Sequence, residues 1–245
     1  MTKALIMAGG RSERMRVSGE CHKALVHVLG ISLIERNLRM LLESGFSDIS
    51  VSVRADEAAI LAFLDDAGRS LAHSYGGTIA TIVEHEPLGT IGAARLAARD
   101  VETLLVVNVD NLTTLSLQRF VTHHCDSGAA LTIASHVERT TLSFGELRIV
   151  DGDVDAYLEK PELRLQVSSG TYVLSRRAIA FIPETGATSI PQLFERLRTN
   201  GERIAAYEHD APWIDVNDRA AVLRAEALVA AHREQFEPWA KTAAL

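Results

Sequence analysis

The strongest constraint on the fold is the stretch Ala4 to Val28, ALIMAGGRSERMRVSGECHKALVHV, in which a continuous apolar run ends on two glycines and enters a cationic loop. Ala4 to Ala8 carries no polar side chain, the pattern of a parallel strand buried on both faces. Gly9-Gly10 allows a tight turn and close approach of backbone to a ligand, and Arg11, Arg14, Arg16 and Lys23 then set four cations against Glu13 and Glu20. A loop of this charge wants an anion, and the carboxyl end of a strand is where open α/β sheets bind ligands. The alternative is a solvated surface loop, which the Gly-Gly turn directly after a strand disfavours. Neither GxGxxG nor GxxxxGK followed by Ser or Thr occurs, so a dinucleotide fold and a P-loop ATPase lack support.

At 245 residues with 47% hydrophobic content, the chain can bury one sizeable α/β core, and it is expected to form a single domain over 1–245. No stretch reads as a linker. The N-terminus is a strand containing Lys3 rather than a signal peptide, and no apolar run approaches the roughly 18 residues of a membrane span. A cytoplasmic protein without membrane contact is expected. Cys21 and Cys125 are far apart and in no CxxC pattern, so free thiols are the simplest reading. A net charge of −7 argues against nucleic acid, whose phosphates require a basic face. The basic residues that matter are local, which suits a small polyanion.

Further along, Ser32-Leu33-Ile34-Glu35 has capping-box spacing ahead of helical Ile34, Leu38, Leu41 and Leu42, with Gly45 as the stop. Strands are expected over 48–53 and 78–83, with a helix over about 55–66, giving βαβ alternation. Pro87-Leu88-Gly89-Thr90 turns into an alanine-rich helix whose Gly89 and Gly92 either face a ligand or permit close packing. Glu84 stands just before that turn. Thr103 to Val107 is an apolar strand ending in Asn108-Val109-Asp110-Asn111, and a carboxylate at such a strand end is well placed to hold a metal. Asp110 has an alternative as a turn residue or cap for a helix near Leu115. Strands follow at 130–136, 145–150 and 155–159, the last two joined by Asp151-Gly152-Asp153. Ser189-Ile190-Pro191-Gln192 forms a second capping box, 204–207 reads as an edge strand, and a last helix spans about 218–236. That helix is expected to cover the sheet or to join a homodimer contact. The nine histidines show no metal-binding spacing and read as surface or packing residues, and no GxSxG elbow occurs.

AGGRSERM followed by HKALV resembles the signature of the sugar-1-phosphate nucleotidyltransferases, with His22 in place of a proline. The loop alone also resembles molybdenum-cofactor guanylyltransferases and methylerythritol cytidylyltransferases. PLGTIGAA, VNVDNLT, EKP at Glu159-Lys160-Pro161, SSGTYVLS and WIDVND extend the resemblance over nearly the whole chain. It implies an α/β fold with a Rossmann-like, mixed but mostly parallel sheet and helices on both faces, as one nucleotidyltransferase domain without a β-helix extension. It further implies Arg14, Lys23, Asp110 and Lys160 as catalytic residues. Ala8, Gly9, Gly10, Arg11, Glu84, Leu88, Gly89 and Thr90 would lie against the nucleotide, and Asn108, Glu159, Lys160 and Gly170 against the acceptor. Asp110 and Asp215 would hold Mg2+. The substrates implied are a nucleoside triphosphate and a sugar-like 1-phosphate.

A carboxylate at Glu84 accepts hydrogen bonds only, so it suits a base with adjacent donors; guanine is preferred, then cytosine, with a plain surface glutamate as the alternative. Val109, where the family has glycine, is expected to take up room near the reaction centre, and Ser168 and Ser169 depart on the acceptor side. Asn217 replaces another glycine and is expected to supply the same positive φ. Asp215 could instead cap the last helix, a role Asp218 would fill as well. A non-catalytic regulatory relative is the reading from another class; the retained Arg14, Lys23, Asp110, Lys160 and Asp215 argue against it.

Overall fold

The computed structural model describes residues 2–10 and 22–240. Its centre is a seven-stranded sheet of order β12-β8-β11-β6-β1-β4-β5. The first strands are β1 (Thr2–Met7), β2 (His27–Val28), β3 (Ile31–Ser32), β4 (Asp48–Arg54), β5 (Thr78–Glu84), β6 (Thr103–Asn108) and β7 (Asn111–Thr113). They are followed by β8 (Leu131–Thr141), β9 (Glu146–Val150), β10 (Asp153–Leu158), β11 (Glu162–Ser175), β12 (Ile204–Glu208) and β13 (Trp213–Asp215). β1 pairs parallel with β4 and β6, β4 with β5 and β12 with β8, while β11 runs antiparallel between β6 and β8. The sheet is therefore mixed and mostly parallel, as the resemblance implied.

β1 shows why its sequence is wholly apolar. Alternate side chains of a strand point to opposite faces. Ala4, Ile6 and Ala8 enter one core with Ile34, Leu38 and Leu41 of helix α1 (Leu33–Glu43). Leu5 and Met7 enter the other, with Ala93, Ala94 and Ala97 of helix α4 (Ala93–Ala97). Between them in the chain lie α2 (Ala58–Phe63), a π turn at Leu64–Gly68 and α3 (Arg69–Ser74), so the second helical stretch runs past its expected end near 66. Three helices after β7 complete the two layers, α5 (Leu117–Ser127), α6 (Arg176–Ala180) and α7 (Ile190–Thr199), and α8 (Arg219–Ala231) follows with a last turn α9 (Arg233–Phe236). Phe120 of α5 joins the first core, and Ile179, Leu193 and Leu197 of α6 and α7 join the second.

The caps divide. Ser189 and Gln192 form the full reciprocal box with proline in the first turn of α7. At Ser32 only half of the box exists: its hydroxyl accepts from the Glu35 amide, but the Glu35 carboxylate turns to Arg39, 2.8 Å away and one helical turn on. A charged partner outcompetes a backbone amide for that carboxylate. The last helix covers neither main core. Ala225 and Val229 pack with Val26, Val28, Leu112, Val216 and Phe236 in a small third cluster, which clamps β2 and the segment after β13.

His124 on α5 is buried, with Nδ1 2.7 Å from the Thr132 hydroxyl. Burial, reinforced by His123 and Arg177, pushes its pKa from 6.5 down to about 4. Between those values the unfolded chain binds the proton and the folded chain does not, so stability is full above pH 6.5 and falls as the pH drops toward 4. On the order of 2–3 kcal/mol is at stake. Urea unfolding at pH 7 and pH 4.5 should show this loss, and His124→Gln should flatten the slope.

Candidate active site

The sheet order reverses between β1 and β6, since β4 and β5 continue from one side of β1 and β6 lies on the other. Crevices at such reversals bind ligands in open α/β sheets. The register Met7↔Asn108 brings the two carboxyl ends level, so Gly9-Gly10 emerges beside Val109-Asp110. The Val109 amide donates to Met7 O at 3.1 Å, and Ala8 donates to Ser52 O at 2.9 Å.

Lys23 reaches this crevice from a single 3-10 turn, Lys23–Leu25, capped by His22. The His22 Nδ1 accepts from the Ala24 amide at 3.1 Å, which leaves Nε2 to donate to Gly10 O at 2.8 Å. The histidine that departs from the family's proline thus ties the end of the glycine turn to the lysine. The Lys23 ammonium meets the Asp110 carboxylate, both side chains being mostly buried. Asp110 caps nothing, because α5 starts from Ser116. Arg11 and Arg14 lie outside the described residues.

Asp215 is brought to the same place by the antiparallel pairing of β13 with β7, in register Asp215↔Asn111, and the Val216 amide donates to Asp110 O at 2.9 Å. The cap of α8 is Asp218, whose carboxylate accepts from Ala221 at 2.7 Å, so capping does not account for Asp215. Asn217 does not adopt the expected positive φ; among the described residues the non-glycines that do are Leu29, Asp151 and Lys160. Its amide instead donates to Asp215 Oδ2 at 2.9 Å. Val109 is also unlike expectation. It is fully buried in the first core with Leu105, Val107 and Val173.

Glu84 is 4% exposed at the end of β5. One of its oxygens accepts from the Ser52 hydroxyl, the other from the Leu88 amide at 3.1 Å. Gly9 lies against it: a Cβ there would fall 2.2 Å from Oε1. Glu84 therefore fastens the Leu88-Gly89-Thr90 loop, and Gly9 is glycine because that carboxylate fills the space. Gly89, at φ +79°, is pressed onto the Thr188 backbone, 2.5 Å from where its Cβ would be. The Thr188 amide donates to Leu88 O at 2.9 Å and Thr90 Oγ1 accepts from the Ile190 amide at 3.1 Å. The alternative of close packing is thus realised at Gly89.

Across the crevice, at positions expected to face the acceptor, the strand register of β11 slips between Ser168 and Tyr172, with Gly170 at φ +67°. A Cβ at Gly170 would lie 1.9 Å from Asn111 Nδ2 and 2.9 Å from Asn108 Nδ2. The Ser169 carbonyl accepts from Asn111 Nδ2 at 2.7 Å and from Trp213 Nε1 at 2.8 Å. Its hydroxyl lies 2.8 Å from both His136 Nδ1 and His209 Nε2. Burial, with His136 next, lowers the His209 pKa. Sequence patterning did not single out His136, His209, Ser52 or Asn37, because each is assembled from separate strands and helices. Only Asn37 left a trace, as a polar residue at helical spacing between Leu33 and Leu41. Asn108, Asn111 and Gly170 are thus together, whereas Glu159 and Lys160 are not joined to them. Both are exposed, at the turn from β10 to β11, and neither makes a hydrogen bond or ion pair among the described residues. From Ser168 out to Glu162 the β8–β11 ribbon runs about 20 Å of strand.

Comparison with known proteins agrees with this architecture. The family model described as Nucleotidyl transferase matches residues 3–232, and the chain belongs to that family. A mannose-1-phosphate guanyltransferase of Debaryomyces hansenii is 26% identical over 96% of this chain and 67% of its own length. A UTP--glucose-1-phosphate uridylyltransferase of Synechocystis is 26% identical over 87% of this chain, which spans 60% of that relative. Among solved structures, HddC from Yersinia pseudotuberculosis complexed with GMP-PN superposes with a TM-score of 0.69 at 24% identity, covering 93% of this chain and 99% of that one. The chain spans about 60% of the length of several curated relatives it matches.

The packing of Gly9 on Glu84 makes a direct test. Gly9→Ala should cost about 1–3 kcal/mol through overpacking. Combined with Glu84→Ala, which opens the space, it should cost measurably less than the sum of the two single changes, as read from urea melts.

Proposed function

We propose that this chain transfers a nucleotidyl group from a nucleoside triphosphate, GTP being favoured, to a sugar-like 1-phosphate, releasing pyrophosphate. The observation that carries the reading is the meeting of the Lys23 ammonium with Asp110, beside Asp215, at the reversal of strand order. An acceptor phosphate oxygen attacks the α-phosphorus; that P–O bond forms as the bond to the β-phosphate breaks and pyrophosphate leaves. A phosphate monoester has its second pKa at ~6, so the nucleophile is already ionised at neutral pH and needs no dedicated base. Positioning and charge neutralisation then carry catalysis.

Lys23 and Arg14 would hold the triphosphate and its departing pyrophosphate, and Ala8 to Arg11 would line it. Among the described residues no group of three or more His, Cys, Asp and Glu is placed around a metal. Two carboxylates suit magnesium nonetheless, because it keeps waters and takes its remaining oxygens from substrate phosphates. Asp110 and Asp215 would hold that ion, which would neutralise phosphate charge when bound. Asn108 and Gly170, beside Asn111, stand where the acceptor would lie. Lys160, held in the left-handed region at φ +46°, would fix the acceptor phosphate from the ribbon, with Glu159 beside it on the acceptor. Guanine is favoured on the acceptor-only chemistry of the Glu84 carboxylate, which stands at the end of β5 before the Leu88 loop and suits a base with adjacent donors. The guanyltransferase relative and the GMP-PN complex of HddC lean the same way, and the uridylyltransferase relative makes UTP the competitor to include. The reading treats the chain as one nucleotidyltransferase domain, cytoplasmic, with small-molecule substrates and neither nucleic acid nor membrane as partner. No described helix is long and apolar enough to cross a membrane.

Thermal unfolding with GTP, UTP, CTP, ATP and thymidine triphosphate, with and without Mg2+, tests the donor. A ligand at 100 times its Kd adds about 2.7 kcal/mol of stability. GTP with Mg2+ should give the largest shift; a larger shift with UTP would replace guanine. Asp110→Asn should lower pyrophosphate release roughly 10²–10³-fold with the fold intact, and wild-type turnover in that variant would remove Asp110 from the mechanism.

A further inference from the structure

Asp110 sits in a two-residue turn that interrupts the chain between β6 and β7, where carbonyl groups leave the sheet ladder while still buried. Buried carbonyls need donors. The donor here comes from α1, on the first core's side of the sheet. Asn37 is 1% exposed, and its Nδ2 lies 3.0 Å from Val109 O and 3.4 Å from Asn111 O, the carbonyls on either side of Asp110. It also donates to Leu33 O at 2.9 Å, one turn back in the helix. Three carbonyl oxygens surround that atom, so only the amino end of the amide fits there. The cost falls on the opposite end: Asn37 Oδ1 is buried and has no hydrogen-bond partner among the described residues.

An asparagine in mid-helix is a poor helix former, and one with an orphaned oxygen is poorer still. Leucine would satisfy the helix and the apolar stripe of Leu33, Leu38 and Leu41 equally well. What leucine lacks is the amide N–H group that reaches the turn, its two hydrogens shared among Leu33 O, Val109 O and Asn111 O. The remaining atoms of that turn are fixed independently, the Val109 amide by Met7, Asp110 O by the Val216 amide and the Asn111 side chain by Ser169. Asn37 is the link that ties the turn to a helix.

We propose that Asn37 is a positioning residue: through Val109 O and Asn111 O it sets the direction in which Asp110 presents its carboxylate to Lys23 and to the reacting phosphates. This rests on the reading of Asp110 in nucleotidyl transfer. Its consequence is that loss of Asn37 falls mainly on turnover, because Gly9, Gly10 and Lys23, which would hold the triphosphate, lie on other elements.

The test compares Asn37→Leu, close in volume, with Leu41→Ala, a packing loss on the same helix with no bond to the turn. Amide hydrogen exchange at Asp110 and Leu112, the amides of the two peptide units whose carbonyls Asn37 holds, and the kcat and KM of pyrophosphate release are measured in each. Asn37→Leu should speed exchange at both amides and lower kcat at least tenfold, with KM for the triphosphate within twofold of wild type. Leu41→Ala, with an equal or larger fall in Tm, should leave exchange at the turn and kcat near wild type. If Asn37→Leu fails to fold, Asn37→Ser, too short to reach both carbonyls, takes its place with the same readouts. Unchanged exchange at the turn, or a kcat that merely follows Tm in both variants, overturns the proposal. A wild-type chain without turnover would instead sink the nucleotidyl-transfer reading, and the exchange comparison alone would then decide whether Asn37 holds the turn.

Discussion

Everything at the site hangs on the parallel pairing of β1 with β6 in the register that sets Met7 opposite Asn108. A slip of one residue would turn Ile6 and Leu5 onto each other's faces, exchanging the contents of two cores that differ in helix size and side-chain volume. The register is therefore locked by apolar packing far from any ligand. The crevice at the strand ends inherits that precision, and Gly9-Gly10, Asp110 and the Lys23 turn are set against each other by core residues that touch no substrate.

Around that frame the polar groups are arranged in two different ways. At the ends of β4 and β5 they stitch backbone: Glu84 holds the Leu88 loop, Ser52 holds Glu84, and Thr188 holds Gly89 in place. At the slip in β11 they gather around one carbonyl and one hydroxyl of Ser169, where Asn111, Trp213, His136 and His209 converge. Buried polar networks of this kind are stable only when nearly every member is paired, and that requirement makes them specific. The slip in β11 at Gly170 is what turns the Ser169 carbonyl toward Asn111. A side chain at Gly170 would collide with the asparagines that depend on it.

Much of this was legible beforehand because short-range chemistry wrote it. Periodicity gave β1, β4 and β6, capping residues gave the start of α7, and the Asp151-Gly152 turn fell between β9 and β10 as its residues demand. Expectations failed where a residue's direction depended on distant parts of the chain. Val109 points into the core, Asn217 uses its side chain and not its φ, and Glu35 prefers Arg39 to the Ser32 amide. In each case the alternatives are close in local energy and a tertiary neighbour chose between them.

The sequence by itself determined the class of the fold, the identity of the residues that gather charge, and the family to which the chain belongs, since apolar runs, glycine turns and motif spacing act over a few residues. Only the tertiary structure decided that Lys23 meets Asp110, that β13 delivers Asp215 beside it, and that Glu84 grips a loop. It alone decided that Asn37, unremarkable in a helix, reaches the turn between β6 and β7. The physical reason is that a hydrogen bond or ion pair acts over about 3 Å of space, and chain separation of tens of residues carries no record of it until the sheet has closed that distance.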